Sequence, residues 1–171
     1  MWLLIISAWY FFLPAYFANM APVLFRWIPF LGKPIHEKLF GEHKTWRGLI
    51  AAPILAVVVF WLQQKIYLSG FQEWSLIDYS DFSLWLGWWM GSGAILGDLV
   101  KSYYKRKEGI KVGVRWFPFD QLDFVIGGIV GAWVFYVPPL EVMVVLLLIS
   151  PLLHIIVNHL GYCLKIRKEK W

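Results

Sequence analysis

Three aspartates and a dense block of cations lie close together in one stretch of the chain, Gly97–Asp123. Asp98 stands at the end of an apolar segment, whereas Asp120 and Asp123 stand where the next apolar segment begins. Charged groups are costly at a bilayer boundary, so their presence there suggests a function. Carboxylates next to cations suit a site that binds a divalent metal ion together with phosphate groups. The stretch therefore predicts phosphate chemistry that depends on a metal.

The spacing of these residues predicts that they share helix faces. In a helix that advances about 100° per residue, one face of the first segment carries four polar side chains and has Arg106 at its margin. The four are Asp98, Lys101, Ser102 and Lys105. Asp120 and Asp123 are three residues apart and also share a face. The three acids would hold one or two magnesium ions, and the cations would meet phosphates. The alternative interpretation is a set of interfacial salt bridges.

Small residues in both flanking segments favour close packing of the two helices. They recur at small-xxx-small spacing, which allows membrane helices to approach closely. The residues are Gly87, Gly91, Gly93 and Gly97 in one segment and Gly127 and Gly131 in the next. Such glycines commonly serve packing alone. Here the packing itself would bring Asp98 toward Asp120 and Asp123.

The composition of the chain indicates a membrane protein. Of its 171 residues 60% are hydrophobic and only 16% are charged, which is more apolar surface than one soluble core of this size can bury. Apolar runs long enough to cross a bilayer recur along the chain. The net charge of +5 does not indicate nucleic acid, because the cations are sorted by membrane side. Cys163 is the only cysteine, so no intrachain disulfide is possible.

The apolar runs predict an all-α bundle of five transmembrane helices that forms a single domain over residues 1–171. The predicted spans are roughly Trp2–Phe25, Gly48–Leu68, Phe82–Tyr104, Leu122–Val137 and Leu140–Leu164. Fifteen of the sixteen lysines and arginines then fall on one side, in the connections Arg26–Arg47 and Lys101–Arg115 and in the tail that follows Leu164. The positive-inside rule places the amino terminus outside and the carboxyl terminus in the cytoplasm.

Three motifs resemble those of the CDP-archaeol synthase family. The first is G-D-L-V-K-S-x-x-K-R-x-x-G, from Gly97 to Gly109, and the second is F-P-F-D-Q-L-D, which ends at Asp123. The third, G-E-H-K-T-W-R-G, begins at Gly41 and is similar to a cytoplasmic loop of that family. A more distant resemblance is to the phosphatidate cytidylyltransferases. This chain lacks their Lys-Asp pair and has Gln121 in place of an arginine, which favours the archaeol branch.

The resemblance implies that the chain transfers CMP from CTP to a membrane lipid phosphate, 2,3-bis-O-geranylgeranyl-sn-glycerol 1-phosphate. The products would be CDP-archaeol and pyrophosphate, and magnesium would be required. Asp98, Asp120 and Asp123 would hold the metal. The expected phosphate contacts are Lys101, Lys105, Arg106, Lys44 and Arg47, and the expected polar contacts are Ser102, Thr45 and Gln121. The lipid tails would reach the site from the bilayer through a lateral cleft.

Two other functions compete with this interpretation. The same transfer to phosphatidate would give CDP-diacylglycerol, and the motifs do not distinguish ether from ester lipids. A small membrane transporter would also explain intramembrane acids, but the chain shows no inverted repeat. The expected partners are CTP, the lipid phosphate and the bilayer. No nucleic acid and no protein partner are implied.

Overall fold

The computed structural model describes residues 1–112 and 114–163, and within these ranges the chain is helical with no strand. The α-helices are α1 (Trp2–Phe11), α2 (Leu13–Leu24), α3 (Glu37–Phe40), α4 (Trp46–Leu68), α5 (Trp85–Lys107), α6 (Phe119–Ala132) and α7 (Leu140–Cys163). One turn of 3-10 helix, Tyr79–Asp81, precedes α5. The predicted all-α class is confirmed. Leu164, where the fifth span was expected to end, and the basic tail lie outside the described residues.

The first predicted span is a bent pair of helices rather than one helix. The chain bends by 49° between α1 and α2. Pro14 lies in the first turn of α2, and a proline inside a helix has no N–H and its ring clashes with the carbonyl four residues earlier. That carbonyl belongs to Tyr10, and it accepts a hydrogen bond of 2.5 Å from Nε2 of Gln63. Gln63, which is only 2% exposed, therefore ties the bend to α4.

The other predicted spans differ from the helices mainly at their ends. α6 begins at Phe119 rather than Leu122 and ends at Ala132 rather than Val137. Its 14 residues give a length of about 21 Å, less than the ~30 Å of a bilayer's hydrocarbon core. Pro138 and Pro139, which follow a few residues later, cannot supply helical N–H groups. α6 is thus a short helix whose first turn carries Asp120.

Among the residues that the structure describes, up to two elements are long and apolar enough to cross a membrane. One is α4, with 23 residues, and the other is the bent pair α1–α2 when it is counted as a single span. In α7 the apolar stretch Leu140–Leu153 is shorter than the roughly 20 apolar residues that a helix needs to cross a bilayer.

Helices α5 and α6 form the most extensive helix pair in the described part of the chain, and α4 packs against both α2 and α5. Large aromatic side chains, including Phe11, Phe12, Phe60 and Phe124, fill the core between the helices. The core thereby holds α4, α5 and α6 in fixed relation, and these helices carry or adjoin the charged residues of the site.

Glycines allow the backbones of α5 and α6 to touch. A Cβ atom on Gly93 or Gly127 would collide with the carbonyl oxygen of the other, and one on Gly97 would collide with the carbonyl oxygen of Asp123. Gly87 and Gly91 instead face α4, where a Cβ would meet Phe60 and Ala56. The predicted close approach of the two helices is confirmed, and it places the aspartates of α6 beside Asp98 of α5.

Candidate active site

Asp98 occupies a buried position near the middle of α5, with only 8% of its surface exposed. Its Oδ2 atom forms an ion pair with Nζ of Lys44, and its Oδ1 atom lies 3.3 Å from Nζ of Lys101. The hydroxyl of Ser102 donates to the backbone carbonyl of Asp98 at 2.7 Å. Asp98 therefore connects α5 with the loop that precedes α4.

Lys101 lies at the centre of the three aspartates. Its Nζ atom is 2.9 Å from Oδ1 of Asp120 and 3.0 Å from Oδ2 of Asp123, in addition to its contact with Asp98. The side chain of Asp123 is only 4% exposed. A buried carboxylate is stable only when other groups compensate its charge. One ammonium group thus balances carboxylates from both helices.

Asp120 lies in the first turn of α6, where a negative charge is favourable because the helix dipole is positive at that end. Its carboxylate accepts hydrogen bonds from Nζ of Lys105 at 2.8 and 3.0 Å and from the backbone N–H of Trp116 at 2.6 Å. Its two oxygens are shared between Lys101 and Lys105, because Lys101 also contacts Oδ1. The carboxylate is therefore fixed in position by both lysines and by one backbone amide.

The loop before α4 holds Lys44 against the cluster. The backbone N–H of Ile35 donates to the carbonyl of Lys44 at 2.7 Å, and Pro34 pairs with Thr45 in an isolated β-bridge. The hydroxyl of Thr45 caps α4 by accepting from the N–H of Gly48 at 3.3 Å. These local bonds fix the backbone at position 44, so Lys44 reaches Asp98 from a defined direction.

Six of the residues singled out in the sequence converge on one site. They are Asp98, Asp120, Asp123, Lys44, Lys101 and Lys105. Ser102 and Thr45 make bonds to nearby backbone instead. Trp116, whose N–H orients Asp120, was not predicted, since a backbone donor leaves no signature in side-chain type.

Three further predicted contacts have polar atoms that are buried without a hydrogen-bond partner. They are Nε of Arg47, Nε of Arg106 and Oε1 of Gln121. Other atoms of the two arginines are engaged, since Arg47 donates to the carbonyl of Ile28 and Arg106 donates to that of Lys111 at 3.4 Å. Within the described residues, none of these three side chains forms a hydrogen bond or ion pair with the acidic cluster.

The donor set of the cluster suits a hard divalent cation. Three carboxylates from α5 and α6 converge on one positive charge, and magnesium prefers oxygen ligands of this kind. The ammonium of Lys101 takes the central position, and no group of three His, Cys, Asp or Glu side chains in residues 1–112 and 114–163 is arranged to hold a metal as it stands. Metal binding here would require Lys101 to withdraw from the carboxylates.

Comparisons with known proteins agree with the resemblance. A family model described as CarS-like, CDP-archaeol synthase, matches residues 1–171. The CDP-archaeol synthase of Methanoregula boonei is 38% identical over 141 residues, which cover 79% of this chain and 82% of that protein. The CDP-archaeol synthase of Pyrococcus furiosus is 31% identical over 175 residues, which cover 98% of each chain.

A solved structure has a similar fold. It is described as an intramembrane enzyme for archaeal membrane lipids biosynthesis, and its match has a TM-score of 0.63 and 26% sequence identity. The match covers 85% of this chain and 89% of that one. Together with the family match, it confirms the predictions of a membrane protein and of an enzyme, a CTP-dependent cytidylyltransferase. This chain belongs to the CDP-archaeol synthase family.

Proposed function

We propose that the chain transfers CMP from CTP to the lipid phosphate 2,3-bis-O-geranylgeranyl-sn-glycerol 1-phosphate and releases CDP-archaeol and pyrophosphate. The observation that carries this proposal is the convergence of three carboxylates and three ammonium groups on one site, in a chain of this family. Lysine ammonium groups bind phosphate as well as carboxylate, so these lysines can exchange their aspartate partners for the phosphate groups of a substrate.

The reaction is an in-line displacement at phosphorus. An oxygen of the lipid phosphate attacks the α-phosphorus of CTP and forms a new P–O bond. The bond from the α-phosphorus to the oxygen that bridges to the β-phosphate breaks, and pyrophosphate leaves with that electron pair. The attacking phosphate is already anionic near neutral pH, so no strong general base is required. The protein contributes by positioning the two phosphates and by neutralising their charge.

The three lysines supply positive charge to the two substrates. In the structure Lys44, Lys101 and Lys105 are each paired with an aspartate. A triphosphate that enters the site competes with the carboxylates for the same ammonium groups. Arg47 and Arg106, each with a buried Nε that lacks a partner, add donors with the geometry to bind phosphate oxygens in pairs.

Asp98, Asp120 and Asp123 would hold magnesium. The ion would supply positive charge that neutralises the triphosphate and the departing pyrophosphate. Lys101, released from the three carboxylates, would be free to contact a phosphate. Ser102, Thr45 and Gln121 directly follow Lys101, Lys44 and Asp120 in the sequence. The Oε1 atom of Gln121 is buried and can accept a hydrogen bond from an N–H or O–H group of a substrate.

We further propose that residues 1–171 form a single domain with five membrane spans. The bent pair α1–α2 would be the first span, followed by α4, α5, α6 and α7. Basic residues are grouped in the connections between α2 and α4 and between α5 and α6. By the positive-inside rule these connections are cytoplasmic, as is the active site, and the amino terminus lies outside.

Transfer of label from α-³²P-CTP into extractable lipid tests the proposed function. Purified protein in detergent is given either the geranylgeranyl diether phosphate or phosphatidate, with magnesium or with EDTA. We expect magnesium-dependent label in the diether product. Label in phosphatidate alone would assign the ester lipid instead. Absence of label with both acceptors, from protein shown to be folded, would overturn the proposal.

A further inference from the structure

An apolar groove of about 690 Å³ runs along one side of the α5–α6 pair. Its walls are aliphatic and aromatic side chains from both helices, among them Leu96, Val100, Ile126 and Val130. Each of these four side chains is at least half exposed. The volume falls within the range of cavities that hold small organic ligands, about 300–1,000 Å³.

The groove exists because the two helices touch through glycine. Gly93, Gly97, Gly127 and Gly131 lie on its floor, where the backbones of α5 and α6 are in contact. Since these positions have no side chains, the larger side chains on either side project beyond them and form the walls of the groove. The packing that brings the aspartates together thus also forms the groove.

The two ends of the groove differ in polarity. The helices are antiparallel, because Gly93 faces Gly127 whereas Gly97 faces Asp123. Trp89 and Val134 therefore line one end and are apolar. Lys101 and Asp123, which both belong to the charged cluster, line the groove toward its other end, beside Tyr104, Trp116 and Phe119. The distance along α6 from Asp123 to its last residue, Ala132, is about 14 Å at 1.5 Å per residue.

We propose that this groove binds one hydrocarbon chain of the lipid substrate, with the lipid phosphate at Lys101. This inference rests on the proposed function. A molecule that is apolar along its length and anionic at one end matches a groove that is apolar along its length and has an ammonium group near one end. A partner's transmembrane helix matches it less well, because such a helix would cover Lys101 and Asp123 with apolar side chains.

The groove also divides the site between the two substrates. Asp98 faces Lys101 with Oδ1 and Lys44 with Oδ2. Lys101 lines the groove, whereas Lys44 comes from the loop before α4 and does not line it. The lipid phosphate thus approaches from the Lys101 side and CTP from the Lys44 side, with Asp98 between them.

Substitutions that fill the groove test this assignment. Val130→Trp places a large side chain among the walls, and Val58→Trp is a matched control on the exposed face of α4. Each variant is assayed with the geranylgeranyl diether phosphate and with a short-chain dialkyl glycerol phosphate that is too small to extend along the groove. Thermal stabilisation by CTP with magnesium is measured in parallel.

We expect kcat/KM of Val130→Trp for the long-chain lipid to fall by at least about tenfold, because the inserted ring overlaps the hydrocarbon chain. Its kcat/KM for the short-chain acceptor and its stabilisation by CTP should match those of the wild type and of Val58→Trp. Equal activity of Val130→Trp and Val58→Trp toward the long-chain lipid would overturn the groove assignment. An equal loss of kcat/KM toward both acceptors would also overturn it. So would a wild-type protein that is a dimer and that Val130→Trp converts to a monomer. An inactive wild type would instead overturn the proposed function.

Discussion

Nζ of Lys101 lies 3.0 Å from Oδ2 of Asp123, so a cation of α5 is paired with the most buried carboxylate of the cluster on α6. The same ammonium contacts Asp98 and Asp120. A single flexible side chain therefore occupies the position between three carboxylates. In the proposed mechanism, binding of a metal ion at those carboxylates and release of Lys101 toward a phosphate would be two parts of one exchange.

Replacing Lys101 by methionine should separate these two parts. Without the ammonium the three carboxylates repel one another, and breaking a buried ion pair costs about 3–5 kcal/mol. We expect Lys101→Met to lower the melting temperature in EDTA, and magnesium alone to stabilise the variant more than it stabilises the wild type. The measurement is thermal unfolding in detergent across a magnesium titration.

The control for that experiment is Lys65→Met, which removes an exposed cation that lies over the ring of Trp61. Its response to magnesium should equal that of the wild type. If Lys101→Met also responds to magnesium as the wild type does, then Lys101 does not compete with a metal ion for the carboxylates.

The three aspartates should each be required for turnover. Asp98→Asn, Asp120→Asn and Asp123→Asn keep the size of the side chain and remove its charge. We expect each to lower kcat by at least about a hundredfold, the scale seen when a group that stabilises transition-state charge is lost. The check is CMP transfer at saturating magnesium, with gel filtration to show that each variant is folded. Near-normal rates in all three would contradict the metal assignment.

Gly93 should tolerate no side chain. A Cβ at this position collides with the carbonyl of Gly127, which cannot rotate away because it is backbone. Overpacking typically costs about 1–3 kcal/mol, so Gly93→Ala should lower the melting temperature and move Asp123 away from Asp98. Gly32→Ala is the comparison, since its Cβ would lie an ordinary 3.6 Å from Arg47. Equal melting temperatures for the two variants would show that the helices separate without cost.

Gln63 should contribute to stability through the carbonyl of Tyr10. Gln63→Leu removes the side-chain donor to a carbonyl that also accepts a backbone N–H, and the loss of one such hydrogen bond costs about 0.5–1.5 kcal/mol. We expect a lower melting temperature with unchanged KM for CTP, because Gln63 makes no contact with the charged cluster. Gln72→Leu, at an exposed position, serves as the reference. If Gln63→Leu is as stable as Gln72→Leu, the bend between α1 and α2 does not depend on the hydrogen bond from Gln63.

The sequence was sufficient to predict which charged residues lie together, because their positions depend on spacing along a helix. Asp98, Lys101 and Lys105 share a face of α5 through helical periodicity alone, and the glycines of α5 and α6 indicated that the two helices meet. The end of α4 at Leu68 followed from its apolar run, and its start at Trp46 lies two residues before the predicted Gly48. The family was also recognisable, since its motifs are contiguous in the chain.

Only the tertiary structure decided how those residues pair. Helical spacing shows which side chains share a face, but it does not show which charge lies opposite which across two helices. Lys101 was expected to meet a phosphate, and in the structure it lies between three carboxylates from α5 and α6. The partners of Lys44 and Tyr10, and the groove beside Lys101, likewise arise from contacts between distant segments. Such contacts depend on packing geometry, which local sequence does not encode.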